Sequence, residues 1–452
     1  MESVDPATGG VVCRYPALSD QEVEQRVAQG HEQAVHWSEV AVERRCELLA
    51  SLAEALTSQR DGLAELMGRE MGKLRREALA EVDKCAWVCR YYAEQAPVML
   101  ADQLVDTEAS RSLVIHQPLG LLLAVMPWNF PLWQVFRAAV PAIAAGNTVL
   151  LKHASSVTGC ALAIADLFAA VDAPTGLFGV LAVPASRIAD VIADRRVRSV
   201  TLTGSDAAGR AVAATAGRAL KKTVLELGGS DPFIVLEDAD LDRTLEKAVQ
   251  SRFMNCGQSC IAAKRFIVVE AVASRFLSGL VNRVSALRVG PPDDPASDIG
   301  PMARADLRSE LHGQVRDALD KGAECLAGGQ VIEGPGCYYQ PTVLTGITPA
   351  MRAYREELFG PVATVYRVPD EATALELAND SDFGLGGSVW TADRQRGEAL
   401  ARRLACGCAF VNELVKSDPR LPFGGVKDSG YGRELSVLGI HEFVNHKTVW
   451  ID

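Results

Sequence analysis

Three short segments carry side chains whose types and spacing could do chemistry. Pro127-Trp-Asn-Phe-Pro131 follows an apolar run, and its two prolines fix the backbone on either side of Asn129, whose amide can donate two hydrogen bonds. A rigidly held amide is what an oxyanion site needs, although the same side chain can instead cap the helix that follows. Asn255-Cys-Gly-Gln-Ser-Cys260 sets a cysteine after a glycine-containing turn, just beyond a helix expected over 240–253, where backbone amides can hold developing negative charge. The bland alternative is a buried, inert thiol, and the nearby Cys256 leaves open which sulfur reacts. Leu225-Glu-Leu-Gly-Gly229 puts the Glu226 carboxylate at the end of an apolar strand, a poor place for a charge without a task or a partner. Desolvation there makes it a base near neutral pH; the alternative is a salt-bridged glutamate at a strand end.

Secondary structure must hold these segments in place. Residues 19–96 read as helices: Leu48, Leu49, Leu52, Ala55 and Leu56 form one apolar face at a 3.6-residue period. A second helix is expected over 77–96, stopped by Pro97. Short apolar or β-branched runs at 121–126, 148–151, 197–203 and 223–227 then alternate with helical stretches at 132–145, 157–170, 185–193 and 205–219. That alternation predicts a parallel sheet covered on both faces, which binds ligands at the carboxyl ends of its strands. It repeats downstream, with strands at 233–236, 265–269, 362–366 and 409–412 and helices near 240–253, 271–287, 303–321 and 392–404. The expected fold class is α/β with two open parallel-sheet domains, divided at the turn signal Gly228-Gly229.

Composition narrows the function. A chain of 452 residues, 48% hydrophobic, has room for two or three domains. Its net charge of −11 argues against nucleic acid as a partner. The first ten residues lack a basic and apolar leader pattern, so no secretory signal is expected. The charge-free stretch 112–136 is broken by Pro118, Pro127 and Pro131 and reads as buried strand, turn and helix start rather than a membrane span. Eleven cysteines, an odd number, point to reduced thiols in a cytoplasmic protein. The seven histidines form no HExxH, and neither Cys85 with Cys89 nor Cys406 with Cys408 is joined by a second pair at zinc-ligand spacing, so no metal site is expected.

Taken in order, Pro-Trp-Asn-Phe-Pro, Glu-Leu-Gly-Gly and Gly-Gln-Ser-Cys resemble the aldehyde dehydrogenase superfamily, as does the 34-residue interval between Glu226 and Cys260. The resemblance spans nearly the whole chain. It runs from Asp5-Pro-Ala-Thr-Gly9 through Thr203-Gly-Ser205 and Glu356-Glu-Leu-Phe-Gly-Pro361 to the segment Pro422–Glu434. It implies that Cys260 attacks an aldehyde, that Asn129 and the Cys260 N–H hold the oxyanion, and that Glu226 activates the water that hydrolyses the thioester. For an NAD or NADP cofactor it implies Trp128 and Asn129 beside the dinucleotide, Lys152 at the adenosine ribose and Gly204 and Ser205 at the pyrophosphate. Leu227 lines the same site, Glu357 meets the nicotinamide ribose and Phe359 packs nearby. Gly209 would allow close packing in that motif.

NAD-preferring members often carry Glu three residues after the lysine; here Ser155 stands there and removes a repulsion toward a 2′-phosphate, so NADP should be accepted. The overall likeness is to bacterial succinate-semialdehyde dehydrogenases, with Arg137 and Ser417 in the positions that meet the distal carboxylate and Met254 where some members carry a second arginine. The alternatives are a broad-range aldehyde dehydrogenase and a catalytically silent binding member; retention of Cys260, Glu226 and Asn129 argues against silence. By the same likeness, 1–103 with 121–227 form the cofactor domain and 228–440 the catalytic domain. Strands in 104–120 and 441–452 pair and join subunits into a homodimer or homotetramer.

Overall fold

The computed structural model describes residues 1–452. Helix Asp20–Glu39 opens on a capping box, in which Ser19 Oγ accepts the Glu22 N–H and the Glu22 carboxylate accepts the Ser19 N–H. Helices Val42–Ser58, Arg60–Met71 and Arg75–Met99 follow, and the predicted apolar face of the first buries Leu49, Leu52 and Leu56 completely. The last helix does not stop at Pro97 but runs to Met99. A proline this near a helix end removes one donor only, and the Leu100 N–H still reaches the Ala96 carbonyl at 3.0 Å.

Two large sheets form the body. The first orders its strands Gly430–Tyr431, Lys222–Glu226, Val197–Thr203, Leu121–Met126, Thr148–His153, Phe178–Val180. All pairings are parallel except that of Gly430–Tyr431 with Lys222–Glu226. The second runs Glu324–Ala327, Thr342–Thr345, Val362–Val368, Ala263–Val269, Asp231–Val235, Gly386–Trp390, Cys408–Val411, with only its first strand antiparallel. Central strands such as Ala263–Val269 are buried along their whole length, as expected of parallel sheets covered on both faces. Apolar clusters cover both faces of the first sheet, and a separate cluster surrounds the second.

Two departures from the sequence reading matter. Gly386–Trp390 was not anticipated, since glycines weaken a strand's sequence pattern; in the sheet the Gly386 N–H donates to Asp231 Oδ1 at 3.0 Å. Phe423, Leu435 and Ile440 join the core of the first sheet, so the segment assigned by sequence to the second domain up to 440 returns to the first near its end. A third sheet pairs Val444–Ile451 with Arg111–Pro118 in antiparallel register, Ile451 opposite Arg111 and Val444 opposite Pro118, with Gln103–Val105 beside them. No helix is long and apolar enough to cross a membrane.

Candidate active site

The loop that carries Cys260 is held from several sides. Helix Leu241–Phe253, capped by the Asp240 side chain, runs into a turn in which Asn255 and Cys256 adopt φ of 56° and 55°. Left-handed backbone costs about 1–3 kcal/mol per non-glycine residue and persists only where surroundings enforce it. They do: the Asn255 N–H donates to Glu77 Oε1 at 3.0 Å, and Asn255 Nδ2 donates to the carbonyls of Asn129 (2.8 Å) and Gln258 (3.1 Å). The turn sends Cys256 into the core of the second sheet and leaves Cys260 half-buried on the wall of a cavity. Burial pushes the Cys260 thiol up to about 12, with Arg137 and then Lys264 opposing. Cys256 is pushed higher still by burial.

Asn129 belongs to this assembly rather than to a helix cap. Helix Trp133–Ala144 is capped by Glu81, whose Oε1 accepts the N–H groups of Leu132 and Trp133 at 2.9 Å each. The other Glu81 oxygen pairs with Lys73 in a fully buried ion pair, and the Lys73 ammonium lies 3.8 Å from the centre of the Phe130 ring. At the other end of the loop, His153 Nε2 lies 2.8 Å from the Pro131 carbonyl while its Nδ1 accepts the Ala154 N–H at 3.0 Å. Burial holds that imidazole down at about 4, so it is neutral, with the Met126 carbonyl also 3.2 Å from Nδ1. Asn129 Nδ2 donates to the Gln258 carbonyl at 3.1 Å, which leaves its second hydrogen for a ligand.

Glu226 ends the strand Lys222–Glu226, buried, with both carboxylate oxygens unpartnered. Burial and then the nearby Glu434 carboxylate push its pKa well above the usual range, against Arg137 and Arg433. Three residues on, the chain passes so near the nucleophile loop that a Cβ on Gly229 would stand 2.5 Å from the Cys260 carbonyl oxygen. Lys264 closes the same junction: its Nζ donates to the Ser259 and Cys260 carbonyls at 2.8 Å and pairs with Glu357 at 2.9 Å. Glu357 also accepts the Gly229 N–H at 3.2 Å.

The residues expected at a dinucleotide gather at one edge of the first sheet. Adjacent parallel strands bring Trp128, Lys152, Ser155, Gly204, Ser205 and Leu227 to its carboxyl end. Ser205 caps helix Asp206–Arg218 by accepting the Ala208 N–H at 3.3 Å. The remaining free amides of that first turn suit a pyrophosphate. Leu227 packs directly on Gly209, where a Cβ would stand 2.6 Å from both of its terminal carbons and displace that side chain. Trp128 and Phe359 meet edge to face with ring centres 5.7 Å apart. Lys152 is buried, which lowers its pKa, and Ser155 is half-buried at the start of the turn Ser155–Val157.

A cavity of about 560 Å³ opens onto Cys260, lined by Phe130, Trp133 and Phe423 and by the polar residues Lys84, Arg137 and Ser417. Both substrate residues read from sequence therefore face it. Arg137 is already engaged: it pairs with the buried Glu434, stacks 4.6 Å from the Phe423 ring and approaches Thr203 Oγ1 at 3.5 Å. Lys84, which the sequence reading passed over as one more cation on a helix, donates to Ser417 Oγ at 2.7 Å and lies 4.4 Å over the Trp133 ring. Burial, and then Arg137, pull its pKa down to about 8. Only the helix phase in three dimensions distinguishes Lys84 from its solvated neighbours.

Known proteins resemble the chain over its whole length. Residues 1–449 match the sequence profile of the aldehyde dehydrogenase family. A probable succinate-semialdehyde dehydrogenase [NADP(+)] from Synechocystis is 49% identical over 449 residues, covering 99% of each chain. A succinate semialdehyde dehydrogenase [NAD(P)+] from Escherichia coli is 48% identical over 100% of this chain and 97% of its own. The crystal structure of succinic semialdehyde dehydrogenase from Streptococcus pyogenes in complex with NADP+ superposes with a TM-score of 0.98 at 38% identity, covering 100% of this chain and 99% of that one.

Proposed function

The chain belongs to the aldehyde dehydrogenase family, and on that premise we propose that it oxidises succinate semialdehyde to succinate through a thioester on Cys260, with NADP or NAD as hydride acceptor. The observation that carries the substrate is the cavity beside Cys260, where the Lys84 ammonium is paired with the Ser417 hydroxyl and is free to meet a carboxylate. Arg137 lies behind them, its charge shared with Glu434.

The chemistry follows from the side chains. Cys260 Sγ forms the bond to the aldehyde carbon as the carbonyl π pair moves onto its oxygen, and the thiol proton, which burial otherwise keeps on the sulfur, passes to water in the cavity. We assign the second amide hydrogen of Asn129 and the Cys260 N–H as donors to the oxygen that becomes negative; one such donor is worth about 2.7–4 kcal/mol. The nicotinamide, when bound, supplies the acceptor for the hydride lost from that carbon. Glu226, an unpartnered carboxylate with a raised pKa, takes a proton from the water that cleaves the thioester, releasing the acid and returning the thiol. Trp128, Lys152, Ser155, Gly204, Ser205, Leu227, Glu357 and Phe359 hold the dinucleotide, and the Ser155 hydroxyl admits the 2′-phosphate of NADP.

Subunits join through the strand unit of 103–118 and 444–451, whose exposed Leu104, Trp450 and Ile451 offer apolar surface at an edge. Eleven unpaired cysteines suit the reducing cytoplasm. The test of the function is steady-state oxidation of succinate semialdehyde against pentanal with each cofactor. A kcat/KM for pentanal equal to that for the semialdehyde would replace this reading with a broad-range aldehyde dehydrogenase.

A further inference from the structure

Three of the seven histidines meet at the junction of the third sheet with the body, far from Cys260. His116 lies on strand Arg111–Pro118, and His446 sits directly opposite it in register on Val444–Ile451, so both side chains share one face. His441 ends the short helix Ser436–His441. The ring centres are 4.4 Å apart for His116 and His441, which stack, and 5.1 Å from each of these to His446. One ring nitrogen of each lies within 4.8 Å of the others.

Backbone carbonyls at the end of helix Arg75–Met99 select the tautomers. His116 Nδ1 faces the Leu100 carbonyl at 3.3 Å and His441 Nε2 faces the Met99 carbonyl at 2.7 Å. A carbonyl only accepts, so those nitrogens carry the hydrogens, and the lone pairs fall on His116 Nε2 and His441 Nδ1. His116 Nε2 is buried with no hydrogen-bond partner. Imidazoles oriented in this way by carbonyls are the usual outer support of metal-ligating histidines.

We propose that His116, His441 and His446 form a three-imidazole site for a divalent transition ion such as Zn²⁺, Co²⁺ or Ni²⁺, which clips the C-terminal strand to the helix end at Met99. An all-nitrogen set favours these ions over Mg²⁺ and Ca²⁺. Nitrogens at about 2.0–2.1 Å from zinc stand about 3.3 Å apart in a tetrahedral site, so each ring moves inward by about 1 Å. The exposed His446 is the ring free to make most of that movement. Sequence spacing hid this site, because His116 and His441 lie 325 residues apart.

The probe is Co²⁺, titrated into the untagged full-length protein and followed by visible absorption and by metal content after dialysis. One Co²⁺ per chain is expected, with ligand-field bands and without the intense near-ultraviolet band of thiolate ligation. His446→Gln and His116→Gln should each weaken binding by at least about tenfold, the least that loss of even outer-shell support typically costs. Both variants should leave aldehyde oxidation unchanged. Zn²⁺ should raise the melting temperature of the parent but not of His446→Gln, whose metal-free melting temperature and oligomeric state should match the parent's, since the residue lies in the strand unit read as joining subunits. No retained Co²⁺, equal retention by His446→Gln, or a thiolate spectrum would each overturn the site.

Discussion

Lys84 Nζ donates a 2.7 Å hydrogen bond to Ser417 Oγ in the cavity that Cys260 lines, joining a helix of the first hundred residues to a loop 333 positions later. A charge-assisted bond to a substrate carboxylate is worth about 1.5–3 kcal/mol, or about ten- to a hundredfold in KM. Lys84→Met should therefore raise KM for succinate semialdehyde by that factor and hardly alter pentanal. The ammonium is lost as pH rises through about 8, so KM for the semialdehyde should climb above that pH in the parent and stay flat in the variant. Equal losses on both aldehydes would remove Lys84 from substrate recognition.

Cys260 and Cys256 make a matched pair of controls. Cys260→Ser should abolish turnover, by more than about 10³-fold, because a serine hydroxyl without an adjacent base is a weak nucleophile. Cys256→Ala removes a thiol packed in the core of the second sheet and should cost stability alone, with the burst of reduced cofactor retained. Aldehyde-protected alkylation of Cys256 instead would reverse the assignment.

Glu226→Gln should separate the two halves of the reaction. Reduced cofactor should appear as a burst near one equivalent, followed by turnover slowed by about 10²- to 10⁴-fold, the usual range for a positioned base. Because burial raises the Glu226 pKa and only its ionised form accepts a proton, kcat in the parent should fall with acid at a pH well above the usual carboxylate range. That limb should vanish in the variant; its persistence would show that another group governs it.

Ser155→Glu should turn the enzyme against NADP. A carboxylate near the 2′-phosphate introduces like-charge repulsion, so kcat/KM for NADP should drop by at least about tenfold while NAD is kept. Parallel losses for both cofactors would place Ser155 away from the ribose.

Glu81→Ala tests the support beneath Asn129. The substitution strands the buried Lys73 ammonium and uncaps helix Trp133–Ala144, a loss of about 3–5 kcal/mol for the unpaired charge alone. Melting temperature and kcat should fall together, and the added change Lys73→Met should recover the former. A variant as stable as the parent would show that the pair contributes nothing.

The sequence by itself determined most of the strand–helix alternation of both sheets and the apolar face of Val42–Ser58, which are written in short-range periodicity. The pairing of the strands in 104–120 and 441–452 was implied by the family resemblance, and the tertiary structure supplied its register. The residues around them also marked Asn129, Glu226 and the Cys256–Cys260 segment, and the family resemblance implied Cys260 as the nucleophile. Tertiary structure decided what depends on distance through space. It sent Cys256 inward and Cys260 to the cavity, moved the helix cap from Asn129 to Glu81, and committed Arg137 to Glu434. It also aimed Lys84 at Ser417 and gathered three remote histidines. Charge partners and ligand sets are long-range pairings, and a side chain's environment is set by whatever the fold packs against it, which local spacing does not encode.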